Sequence, residues 1–128
     1  MRLRAAIVLA VVAVVAVACG SQDDGPKLSE AAKLGKEVAV MRSCTGCHGR
    51  NGEGATGPPW VGLYNSTVQL ADGSTVTADF AYLVESIRDP KAKQVAGWGK
   101  MPVDPISDAD IAAIIAFIME LPAPVTSG

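Results

Sequence analysis

Apolar positions fall into three patterns along this chain. From residue 5 to residue 18 every position is apolar, behind a basic start at Arg2 and Arg4. Further on, apolar residues recur at helical spacing. Leu34, Val38 and Met41 predict a first amphipathic helix, capped by Ser29 and running to about Arg42, with Lys33, Lys36 and Glu37 on its other faces. Ile111, Ile114, Ile115, Ile118 and Leu121, with Phe117 alongside, give a last helix a broad apolar stripe suited to packing against the first. Ser107 caps that helix, Asp108 and Asp110 favour its first turn, and Pro122 ends it. Residues 79–89 predict another helix, stopped by Pro90. The third pattern is a pair of short β-branched stretches within 68–77, separated by Asp72-Gly73, which predicts a hairpin. Glycine and proline crowd residues 49–59 and recur through 91–105, so both read as loops, the second long enough to imply a role.

The N-terminal block bears on location. Fourteen apolar residues fall short of the roughly 20 that span a bilayer and match the about 7–15 of a secretory signal. Residues 1–18 therefore predict an export signal, with an uncleaved anchor helix as the alternative. Ala16-Val17-Ala18 is a small-x-small cleavage pattern followed at once by Cys19. It resembles the lipobox of bacterial lipoproteins, although those usually carry leucine where this chain has Ala16. The resemblance implies that Cys19 becomes the first mature residue and receives the lipid. The polar, turn-forming stretch within 19–28 then predicts a flexible tether, 29–122 one domain, and 123–128 a tail. The expected location is extracytoplasmic: the periplasm or the outer face of the cytoplasmic membrane.

Without Arg2 and Arg4, nine basic side chains face thirteen acidic ones, a formal charge of −4 with no basic stripe of the kind that nucleic acid requires. Only 5% of the chain is aromatic, so a domain this small has few large side chains with which to build a core. A large apolar cofactor would relieve that shortage.

The cysteines identify one. There are three, an odd number for an exported protein. Cys19 goes to lipid, which leaves Cys44-Thr45-Gly46-Cys47-His48. Two cysteines three apart on one turn can each add to a vinyl group along one edge of a porphyrin, and the histidine directly after is aimed at the iron; this string is a c-type haem attachment site. A zinc site needs a fourth ligand, and no further Cys or His exists in the domain, so a carboxylate would have to serve. A thioredoxin-like CxxC belongs to a βαβ setting that is missing here. A disulfide at this spacing is awkward and leaves His48 unexplained.

His48 is the only histidine, so the sixth iron ligand cannot be a second one from the same chain. Methionine is the alternative in electron-transfer cytochromes. Met1 leaves with the signal, Met41 is tied too close to Cys44 on the wrong side of the ring, and Met119 suits the core of the last helix. Met101 lies in the glycine-rich loop, 53 residues after His48, and is stiffened by Pro102.

On these residues the chain resembles class I cytochromes c over about 29–121: CxxCH early, Met-Pro late, and helices at both ends. The implied fold is all-α, three to four helices around one covalent haem c, with a small β-hairpin insertion. Thr56-Gly57-Pro58, followed by Gly62-Leu63-Tyr64, looks like the family loop whose proline carbonyl accepts a hydrogen bond from the axial histidine. That resemblance implies that Pro58 orients His48. The run from Leu70 to Ala78, with Tyr82-Leu83 and Ser86-Ile87-Arg88-Asp89-Pro90, is similar to the cytochrome c domain of subunit II in caa-type oxidases, here without a copper domain.

The expected function is one-electron transfer in a respiratory chain, with a terminal oxidase as acceptor and the membrane reached through Cys19. No enzymatic step and no small-molecule substrate are expected. The alternatives are a haem subunit fixed within a respiratory complex, or a haem enzyme or sensor with displaceable Met101. Arg88, Lys91, Lys93 and Lys100 give a local basic excess beside Met101 that would suit an acidic docking surface.

Overall fold

The computed structural model describes residues 25–123; the expected signal, the cleavage site, Cys19 and most of the C-terminal tail lie outside them. Four helices and one hairpin follow in order: α1 (Glu30–Met41), α2 (Cys44–His48), β1 (Thr67–Gln69), β2 (Thr75–Thr77), α3 (Phe80–Arg88) and α4 (Asp108–Met119). This is the all-α architecture with a small hairpin that the sequence implies.

Local chemistry sets the boundaries. The side chains of Ser29, Asp79 and Ser107 accept the backbone N–H of Ala32, Tyr82 and Asp110, satisfying amides that a helix start leaves unpaired. In the hairpin, Val68 pairs with Val76 in an antiparallel register. Asp72 closes the turn by accepting from the Ser74 amide and hydroxyl, and Gly73 takes the positive φ of 88° that the turn requires.

The core forms where α1, α3 and the Trp60 loop meet α4. Ile111, Ile114, Ile115, Phe117 and Ile118 are all fully buried, so nearly every face of α4 but one is covered. The seam on α1 differs from the expected stripe. Leu34 and Met41 are 55% and 72% exposed, and only Val38 of the three is buried. The buried face is instead Ala32, Gly35, Lys36, Val38 and Ala39. The reason is close approach: a Cβ on Gly35 would stand 1.9 Å from the Ala113 carbonyl oxygen of α4. Small residues win this seam because the backbones nearly touch. Lys36, expected on another face, lays its stem along the seam and donates from Nζ to Asn51 Oδ1 at 2.8 Å. Met119, expected in the core, is 45% exposed because it projects from the uncovered side of α4.

Polar contacts tie each end of α1 to the opposite end of α4. The Ser29 amide and hydroxyl donate to the Glu120 carboxylate at 2.8 and 2.5 Å. Arg42 grips Asp110 Oδ2 through Nη2 at 2.5 Å and Nε at 3.1 Å. The Ser29 hydroxyl, and then its amide, hold the Glu120 carboxyl below its usual range. A carboxyl with a lowered folded-state pKa contributes above its unfolded value, and the contribution is lost as pH falls through the folded value. Glu120→Gln is therefore expected to flatten the acid side of the stability profile, read as a smaller drop in urea midpoint between about pH 7 and about pH 3.

Candidate haem site

The sequence around α2 forces an abrupt change of direction. Ser43 takes a left-handed conformation (φ 61°, ψ 13°), rare for a residue with a Cβ, which breaks α1 from α2. Gly49, with φ 85°, ends α2 one turn later. Between them Cys44 and Cys47 occupy successive positions on one helical face, and His48 follows. Cys44 is half-buried and Cys47 is exposed, and the two do not form a disulfide. Burial pushes the Cys44 thiol up.

His48 is turned inward and is 7% exposed. Its Nδ1 lies 2.8 Å from the Pro58 carbonyl oxygen. A carbonyl only accepts, so Nδ1 carries the proton and Nε2 keeps its lone pair. Burial pushes the imidazole below its ordinary pKa, and the Pro58 bond opposes that only in part, so the ring stays neutral. Trp60 stacks on His48, with ring centroids 4.5 Å apart and planes 17° from parallel. Trp60 in turn meets Phe117 of α4 edge-on at 6.1 Å.

His48 forms part of one wall of a cavity of about 380 Å³. Pro58 and Trp60 continue that wall, Val68 enters from β1, and Leu83, Ser86 and Ile87 come from α3. The long loop closes the cavity with Trp98 and Met101. That loop is not free-floating. Val95 bridges Leu70, the Ala71 amide donates to the Gln94 carbonyl at 2.8 Å, and the Ala96 amide donates to the Gln69 carbonyl at 2.9 Å. The hairpin thus acts as a strut for the start of that loop, at residues 94–96.

The cavity is apolar with a few polar points, the form expected of a cofactor site. One polar group in its wall is unsatisfied: Ser86 Oγ is enclosed and has no hydrogen-bond partner among the described residues. A native structure rarely leaves such a group orphaned, so the hydroxyl calls for a partner within the cavity. Among the described residues no three His, Cys, Asp or Glu side chains converge to hold a metal ion, which leaves the zinc reading of Cys44, Cys47 and His48 without its further ligand. The residues present fit a porphyrin that carries its own iron.

A family model described as Cytochrome c matches residues 32–122. The chain belongs to the cytochrome c family. As a family member it is a c-type electron carrier with one covalently attached haem c, for which Cys44, Cys47 and His48 form the CxxCH attachment motif. Domains of this family are typically extracytoplasmic or membrane-associated, and among the described residues no helix is long and apolar enough to cross a membrane. A comparison with curated proteins finds no match.

The structure brings His48, Pro58 and Met101 to one cavity; Cys19 lies outside the described residues. It divides the expected basic patch. Arg88 pairs with Asp108 and Lys93 with Glu85, so only Lys91 and Lys100 of the four lack an ion pair among the described residues. The pairing follows from chain geometry, since Arg88 ends α3 beside the start of α4 and Lys93 folds back onto α3. Sequence reasoning assigns no cavity role to Trp60 or Ser86, which both line the wall. Trp60 had a signal, being one of two tryptophans in an aromatic-poor chain and directly after Pro58-Pro59.

Proposed function

We propose that this protein is a membrane-tethered one-electron carrier of a respiratory chain that donates to a terminal oxidase. The observation that carries this reading is that His48 and Met101 line the same apolar cavity behind CxxCH. In this reading His48 Nε2 and the Met101 thioether are the groups that would hold the iron, and Pro58 keeps the imidazole in the required tautomer. Bound haem supplies a one-electron Fe(III)/Fe(II) couple, and a histidine–methionine pair raises its potential. The chain's own part is to keep both ligands in place in either oxidation state. Val68, Leu83 and Ile87 exclude water, and Cys47 stands exposed on the side where a partner can approach.

Confinement adds to this role. A lipid on Cys19 would leave ten residues before Ser29, a reach of at most about 35 Å, which raises the effective concentration at membrane-bound partners. Two linked experiments test the proposal. Reduced protein is expected to be oxidised by air only when oxidase-containing membranes are added, and oxidase inhibition should stop it. Cys19→Ala is expected to move the protein from membranes to the soluble fraction. Oxidation that proceeds without membranes refutes the donor role. Retention of the variant on membranes refutes the lipid and favours an uncleaved helix.

A further inference from the structure

We propose that Trp60, together with Gly57, is a positioning residue that fixes the plane of the His48 imidazole; this rests on reading His48 as an iron ligand. A single hydrogen bond from Nδ1 to the Pro58 carbonyl restrains rotation of the ring about its Cβ–Cγ bond from one edge only and leaves its faces unsupported. The indole of Trp60 removes this freedom by lying against the imidazole face, 4.5 Å between centroids and 17° from parallel. Trp60 is itself immobile, 6% exposed and braced edge-on by Phe117, which is 0% exposed. The brace therefore runs from the last turn of α4 to the ligand ring.

Gly57 borders the ring at its Nδ1–Cε1 edge. A Cβ there would stand 3.1 Å from His48 Cε1 and 3.2 Å from Nδ1, tighter than ordinary van der Waals contact. The Gly57 amide donates to the Cys47 carbonyl at 2.8 Å, so the backbone at this point cannot easily withdraw. A residue that only filled the core would need bulk. A ring laid parallel to one imidazole, together with a backbone at its edge that has no room for a methyl group, makes a clamp.

The test uses the full-length, haem-loaded protein and two readouts that core filling alone does not move. The first is the g-anisotropy of the oxidised low-spin iron by electron paramagnetic resonance, which depends on the orientation of the axial ligand plane. The second is the exchange rate of the His48 Nδ1 proton in the reduced protein by nuclear magnetic resonance. Trp60→Leu keeps apolar bulk without a ring, and Trp60→Phe keeps a ring. The Leu variant is expected to stay low-spin, shift its g-values and exchange the Nδ1 proton faster than the parent. The Phe variant should keep the parental g-values and exchange. Gly57→Ala, which crowds the ring edge and leaves Trp60 intact, should shift the same g-values, and it decides the matter if the Leu variant does not fold. Parental g-values and exchange in the variants overturn the clamp alone. An oxidised parent protein with no low-spin iron overturns the ligand reading instead.

Discussion

Met101→Ala is expected to abolish the weak far-red absorption band of the oxidised protein, open the iron to added ligands and lower the reduction potential. Among the described residues Met101 is the only methionine that lines the cavity: Met41 is 72% exposed on α1, Met119 is 45% exposed on α4, and neither lines it. No second histidine exists to take its place. If Met101 is the sixth ligand as proposed, alanine removes a soft donor that favours the reduced state and admits water in its place. Haem axial ligands tune potentials over a range of about 0.8 V, and a fall of at least ~0.1 V is expected from this exchange. A spectroelectrochemical titration measures it. A variant with an intact far-red band would move the sixth ligand away from Met101 and undo the assignment of the loop.

Gly35→Leu is expected to prevent stable folding, and Gly35→Ala to destabilise the protein by ~3 kcal/mol, at or beyond the usual range for overpacked cores. Alanine ordinarily favours a helix over glycine by about 1 kcal/mol, so the sign of the change is itself diagnostic. The added Cβ would meet a backbone oxygen at 1.9 Å, and Phe117 Cβ waits at 3.0 Å, so neither neighbour can rotate away. The helices must separate, and with them the stripe of isoleucines on α4. Small domains hold only about 5–15 kcal/mol in total, so a leucine in this position exceeds what the seam can absorb. Urea denaturation of both variants checks the prediction, and an Ala variant as stable as the parent would mean that the crossing is looser than described.

Features fixed within a few residues were legible from the chain. Ser29 and Ser107 announce helix starts, Asp72-Gly73 announces a turn, and CxxCH names its cofactor through spacing alone. What escaped was whatever depends on distant segments meeting. The seam of α1 was read from its largest apolar side chains, Leu34 and Met41, whereas close approach selected Ala32, Gly35 and Ala39. The orphaned hydroxyl of Ser86 has no local signature, because its isolation exists only once α3 forms a cavity wall. Likewise Arg88 and Lys93 looked like free surface charge until folding set Asp108 and Glu85 beside them. Met101 stood out for the opposite reason: exclusion along the chain needs no geometry.

The bonds between Ser29 and Glu120 bring the first and last turns of the domain together at one corner. Entry and exit of the polypeptide side by side give the unit the shape of a plug with both wires at its base. Such a unit can be appended to another protein or spliced into one of its loops without stretching the host.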